Sequence, residues 1–283
     1  MSGQAFVEMS SGLFVDSDYV DALRRRGLDS IDSIFSFEGD EALDKPGLAA
    51  HRSRIVFQLD SPLKYYLKRY ANTPWPVQVQ AWLDHRRRGS MSSFDAQPAQ
   101  TLTRAEIATA KVIAHGCQWN GLFEKYSFVI TEEIADARSL EEKFPECFYA
   151  APSKETTEEK RRFIDNLADF VRQFHDTGFR HRDLYLCHIF MTDSRKFHLI
   201  DLHRTFKPAL FDERFRIKDI AQLYYSAPGG IVSQTDRLRF YLRYSGKKKL
   251  TRRDRAFIAK LKSRAWRMAD HDIKHNRKVP FAS

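Results

Sequence analysis

The rhythm of hydrophobic and polar positions changes near the middle of the chain. Three runs rich in β-branched and aromatic residues, SIDSIFSF (30–37), HRSRIVFQL (51–59) and LKYYLKRY (63–70), are interrupted by the Gly/Pro/Asp-rich EGDEALDKPG. They predict strands of an antiparallel meander. The stretch NTPWPVQVQAWLDHRRRGSMSSFDAQPAQ (72–100), bounded by prolines and polar loops, predicts one short helix. TRAEIATAKVIAHG (103–116) predicts another, opened by Thr103-x-x-Glu106 and stopped by Gly116. KYSFVITEEI (125–134) predicts a strand that runs into an acidic turn, where a hinge is placed.

Beyond that turn the period becomes helical. Thr156-x-x-Glu159 predicts a capping box, and Phe163, Leu167, Phe170, Val171 and Phe174 form an apolar stripe ending at Gly178. FHLIDLH (197–203) predicts a short buried strand, and RIKDIAQLYYSA (216–227) a helix. TRRDRAFIAKLKSRAWRMADHDIK (251–274) predicts a long basic helix with Phe257, Ile258, Leu261, Ala265 and Trp266 inward. Strands first and helices after predict an α+β protein of two lobes, 1–133 with a sheet plus one helix and 134–283 mainly helical.

Composition sharpens this picture at a few points. The 283 residues, 42% hydrophobic and 30% charged, suit a folded chain with a sizeable core. No run of 18 apolar residues is present, and the first 20 residues lack the pattern of a secretory signal. Three widely spaced cysteines, Cys117, Cys147 and Cys187, suit a reduced compartment better than a disulfide scaffold. The net charge of +10 points to an anionic partner, and it gathers in DHRRRGS (84–90), GKKKLTRRDR (246–255) and HNRK (275–278). No zinc-finger spacing or aromatic-rich RNA signature accompanies it, so nucleic acid is not the partner expected.

The candidate chemistry is concentrated in RHRDLYLCHIF (180–190) and LIDLHR (199–204). A metal cluster of His181, Asp183, His188, Asp201 and His203, a phosphoryl-transfer site and a polar loop between strands are the three readings. The zinc reading lacks HExxH, with His181 and His188 seven apart on a loop. Phosphoryl transfer accounts for more residues. A kinase catalytic loop begins His-Arg-Asp and is followed by a strand bearing a metal-binding aspartate. His181-Arg182-Asp183 matches the first, and Asp201 follows 18 residues later (201 − 183). The same chemistry needs a strand lysine with a helix carboxylate, for which Lys68 and Glu106 are the candidates.

HRDLYLCHIF…LIDLHR resembles the lipopolysaccharide core heptose kinase family, the WaaP type within the Kdo/heptose kinase group. YYLKRY, RAEIATAKVIAHG, SFVITEEI, VRQFHDTGFRHRD and IKDIAQLYYSA resemble family segments in the same order. The resemblance implies a protein-kinase-like bilobal fold, with an antiparallel-sheet N-lobe and a mainly helical C-lobe. It implies ATP and Mg²⁺ as cofactors and transfer to a core heptose, heptose I first among them. A Kdo kinase, a small-molecule or protein kinase of the same fold, and a non-catalytic binding module are the alternatives. By the same resemblance Asp183 is the catalytic aspartate, Asp201 the metal ligand, Lys68 the nucleotide lysine, Glu106 its partner and Asp219 a brace for the catalytic loop. Ile130 to Ile134 would line adenine, with backbone groups around Glu132–Ile134 bonding it. His188 stands where ordinary kinases carry a metal-binding Asn, which opens the possibility of Mn²⁺. The glycine-rich loop is reduced to Gly39 and Gly47. The implied partners are the anionic glycolipid and the inner leaflet of the bacterial inner membrane, approached from the cytoplasm.

Overall fold

Two strands stand ahead of the patterned region, β1 (Phe6–Ser10) and β2 (Leu13–Asp16), and they open a seven-stranded sheet. A computed structural model describes residues 5–43, 49–148 and 153–282, so Gly47 lies outside the described residues. Its first unit comprises residues up to Arg104, Thr109–Ala135 and Asp201–His203; the second comprises Ala105–Ala108, Asp136–Ile200 and Arg204–Ser283.

In the first unit, α1 (Val20–Arg25) and α2 (Ile31–Ser36) precede β3 (Glu41–Ala42), β4 (Arg52–Gln58) and β5 (Lys64–Ala71). Then come α3 (Trp75–His85), α4 (Ser93–Arg104), β6 (Val112–Asn120) and β7 (Phe123–Glu132). The sheet runs β1-β2-β6-β7-β5-β4-β3, every pair antiparallel. Its core is Leu13, Val15, Ile55, Phe57, Leu67, Ile113, Phe128 and Ile130, closed by Leu23, Ile31 and Ile34 from the first two helices.

Three expectations are corrected here. Residues 30–37 are not a strand. Ser30 and Ser33 exchange side-chain-to-backbone bonds of 3.1 Å each, a capping box that starts α2 and outweighs β propensity. The segment 72–100 holds two helices, separated by a turn in which Arg86 is left-handed (φ 53°). The helix expected over 103–116 ends at Arg104 instead, and Val112, Ile113 and Ala114, buried between layers, belong to β6.

The second unit carries β8 (Ala137–Ser139), α5 (Leu140–Phe148), α6 (Lys154–Asp176), β9 (Ile189–Thr192) and β10 (Phe197–Leu199). Helices α7 (Asp212–Ser226), α8 (Gln234–Ser245) and α9 (Arg252–Lys274) complete it. The three strands pair in the order β10-β9-β8. Helix α6 buries Phe163, Ile164, Leu167, Val171 and Phe174, and its cap is Ser153 with Thr156, one turn before the expected box. In α9 the buried seam is Leu261, Ala265 and Ala269, an i, i+4 row whose small residues permit a close neighbour. Trp266 lies about 100° round the helix from Ala265 and is half exposed, contrary to its expected inward position. No described helix is long and apolar enough to cross a membrane.

Candidate active site

Lys68 sits in the middle of β5, opposite Arg54 on one side and Val129 on the other. Its ammonium lies 3.0 Å from Asp201 Oδ1 and 3.3 Å from Asp95 Oδ2. Burial alone would push the Lys68 ammonium down; the carboxylates of Asp95 and Asp201 outweigh it and hold the group above its ordinary range. Burial likewise pushes Asp201 up, but Lys68 and His203 overcome it and keep the carboxyl far below the usual range. Asp201 adopts a left-handed backbone (φ 56°), a conformation that Asp tolerates better than most residues and that is frequent at functional sites. His203 Nδ1 lies 3.2 Å from its Oδ1 and Arg54 3.8 Å from its Oδ2.

One ligand atom each from Asp95, Asp201 and His203 falls within 4.8 Å of the others. Two carboxylates and an imidazole fit Mg²⁺, with Mn²⁺ admitted by the nitrogen. Glu106, expected as the partner of Lys68, is exposed, has φ 61° and follows the end of α4. The helix begins ten residues earlier than expected, and the carboxylate it delivers to Lys68 is Asp95. The sequence signal was obscured because Asp95 is followed by Pro98, which made SSFDAQP read as loop rather than helix.

Glu132 and Ile134 lie at the end of β7 and just past it. The Glu132 N–H donates to Lys111 O and the Glu133 N–H to Lys64 O, both at 2.8 Å, while the Glu132 carboxylate accepts from Tyr19.

In the second unit the His-Arg-Asp segment is held by α7. Asp219, fully buried, accepts from the backbone N–H of His181 and of Arg182, both at 2.8 Å, and meets His175 Nε2 at 3.2 Å. Burial pushes Asp219 up, but His175, His181 and these N–H donors hold it below its ordinary value. Arg182 can therefore keep its left-handed backbone (φ 69°), stacked over Phe206. His181 Nε2 is 3.0 Å from the Ile200 carbonyl, and the Ile200 N–H donates to His188 O at 3.1 Å. These bonds tie the loop to the residue just before Asp201. Burial pushes His181 down toward the neutral form, consistent with a structural role. His188 Nδ1 is 2.7 Å from the Asp183 carbonyl, so a metal or phosphate would have to meet Nε2.

Asp183 is gripped by Arg204, whose Nη1 lies 3.0 and 2.8 Å from its two oxygens, with Lys218 at 3.9 Å and Gln222 at 3.4 Å. Arg204, Lys218 and Gln222 were not anticipated, although Arg204 closes the LIDLHR motif. Asp183 opens on a groove of about 1230 Å³ between α7 and α9. Seven Lys and Arg line it (Arg204, Arg214, Lys218, Lys260, Arg264, Arg267 and Arg277) against the three acids Asp183, Glu213 and Asp272. Burial and the nearby Arg204 push Lys218 down to about 8, with Asp183 opposing.

Comparison with known proteins identifies the family. The sequence profile of the lipopolysaccharide kinase (Kdo/WaaP) family matches residues 63–259. The chain is 30% identical over 202 residues to the lipopolysaccharide core heptose(I) kinase WaaP of Escherichia coli K12, covering 69% of this chain and 75% of that protein. It is 29% identical over 187 residues to the enzyme of the same name from Pseudomonas aeruginosa, covering 64% and 69%. A solved structure of WaaP in complex with acyl carrier protein aligns with a TM-score of 0.67 at 24% identity, over 90% of this chain and 98% of that one. The fold is thus α+β and protein-kinase-like, as expected. The chain belongs to the lipopolysaccharide kinase (Kdo/WaaP) family, whose members are sugar-directed phosphotransferases.

Proposed function

We propose that this protein transfers the γ-phosphoryl group of ATP to a hydroxyl of heptose I in the lipopolysaccharide inner core, working at the cytoplasmic face of the bacterial inner membrane. The observation that carries the acceptor assignment is the groove on Asp183, whose seven cations suit an acceptor bearing phosphates and carboxylates. The named relatives favour the heptose over Kdo.

In this reading Asp183 orients the acceptor hydroxyl and takes its proton. The transferred phosphoryl passes through a loose transition state, so alignment matters more than base strength. That fits a carboxylate already shared with Arg204, which is placed to follow the charge as the hydroxyl proton moves. Lys68 binds the triphosphate, with Asp95 in the part first assigned to Glu106. The backbone of Ile134 meets the adenine edge, since those of Glu132 and Glu133 serve the sheet. Asp201 and Asp95, with His203, would hold Mg²⁺, which would neutralise the triphosphate.

An acyl carrier protein is a further candidate partner. The second unit contains an apolar cavity of about 350 Å³, lined by residues such as Phe144, Leu167, Ile220 and Leu261, with room for part of an acyl chain. Co-purification of the carrier with the full chain tests that point. The acceptor assignment is tested by ATP turnover with soluble, de-acylated core oligosaccharide. Turnover should depend on the oligosaccharide and weaken when its phosphates are removed; turnover indifferent to both would contradict the assignment.

A further inference from the structure

Helix α3 is packed with its polarity reversed. Its buried residue is Gln78, 1% exposed, whose amide donates to Thr73 O (2.7 Å) and Glu124 O (3.1 Å) and accepts from the Glu124 N–H (2.9 Å). At 100° per residue, Trp75, Val79, Trp82 and Leu83 share one stripe, and Trp75 and Leu83 are 63% and 67% exposed. The tip of the β6–β7 hairpin continues this surface with Trp119 and Leu122, both exposed. Trp82 stacks on Phe123 at 5.6 Å, Trp75 packs on the same ring at 6.5 Å, and Arg88 lies over Trp119 while donating to the Leu122 carbonyl. Helix and hairpin therefore form one fixed apolar patch rather than separate exposed side chains. It holds three of the chain's four tryptophans.

We infer that this patch, Trp75, Leu83, Trp119 and Leu122 rimmed by Arg86 and Arg88, is the surface on which the protein inserts into the interface of an anionic lipid bilayer. Tryptophan and leucine beside arginine is the composition of an interfacial helix. The indoles seat at headgroup depth and the guanidinium groups meet lipid phosphates. Asp84 is the acid within the 84–90 stretch, and the whole chain carries +10, so a negatively charged surface is favoured over an uncharged one. Choosing a bilayer as occupant rests in part on the proposed lipid-borne acceptor. The patch differs from the basic run 246–255 in offering apolar side chains for burial as well as charge.

The test uses the full chain and vesicles of phosphatidylcholine with or without phosphatidylglycerol. The wild type should co-float with the anionic vesicles, its tryptophan emission should shift to the blue, and brominated lipid should quench it. Trp75→Ser with Leu83→Ser should bind at least about tenfold more weakly, as should the hairpin variant Trp119→Ser with Leu122→Ser. Both should phosphorylate soluble core oligosaccharide like the wild type, because these side chains are exposed and far from Lys68 in role. Binding unchanged in both variants would overturn the inference. So would a wild-type dimer that these substitutions convert to a monomer, since a second copy would then be the occupant. Loss of oligosaccharide phosphorylation by the wild type would instead overturn the proposed function and leave the lipid result standing.

Discussion

Lys68 distinguishes the structure from a residue-by-residue transfer of kinase roles. Its two carboxylate partners are Asp95 and Asp201, both within 3.3 Å, so the lysine is positioned from a helix and from the segment after β10 at once. Replacing Asp95 with Ala should lower turnover by roughly 10²-fold and raise the KM for ATP, since a positioned cation at the phosphates is lost. Glu106→Ala should leave both within a few fold. A large loss from Glu106→Ala with none from Asp95→Ala would reverse the assignment. Asp183→Asn keeps shape but removes the proton acceptor and one charge facing Arg204, and transfer should fall by roughly 10²–10⁴-fold with ATP binding retained. Isothermal titration beside steady-state rates separates the two effects. At His188, a change to Asn should move metal preference from Mn²⁺ toward Mg²⁺ if Nε2 meets the metal. An unchanged preference would leave the imidazole as a strut on the Asp183 carbonyl.

At the scale of elements, the His-Arg-Asp segment depends on a single buried carboxylate. Asp219→Ala would leave the N–H groups of His181 and Arg182 unpaired in a buried setting, costing about 1–3 kcal/mol each, and should lower Tm and activity together. The hairpin beside α3 carries a second buried acid. Glu124 accepts from the Met91 N–H at 2.7 Å and from Ser127, yet burial pushes it up from 4.5 to about 7. A carboxyl raised in the folded state is protonated more readily there than in the unfolded chain. Its unfavourable contribution is therefore absent below about pH 4.5, grows between 4.5 and 7, and is complete above 7. Thermal unfolding of Glu124→Gln should lose most of the wild type's decline over that window; identical pH profiles would show that the side chain does not titrate there. Legibility in the sequence followed the same physics. The HRD segment, Asp201, Lys68 and the α6 stripe stood out because their spacing is local. Asp95 did not, because Pro98 masks a helix whose burial against β6 and β7 only the tertiary fold supplies. Residues 30–37 carry a strand-like composition, yet two serine side chains, rather than apolar period, decide their helix. Hydrophobicity alone points Trp266 inward, whereas the alanine row beside it is what is buried.

For the whole molecule, charge and acceptor belong together. The +10 net charge is not spread evenly, and seven cations face three acids in the groove on Asp183. Substituting Arg264 and Arg267 with Ala should raise the KM for the anionic core oligosaccharide by roughly tenfold or more. It should leave the KM for ATP unchanged and flatten the dependence of acceptor KM on salt. Equal KM values at low and high ionic strength in the wild type would contradict an electrostatic acceptor site. Every role proposed above depends on phosphate passing from ATP to heptose I. Tandem mass spectrometry of lipopolysaccharide core incubated with the protein, ATP and Mg²⁺ tests it most directly. One added phosphate on heptose I, missing with Asp183→Asn, is the predicted result; phosphate on Kdo, or none on any core sugar, would contradict it.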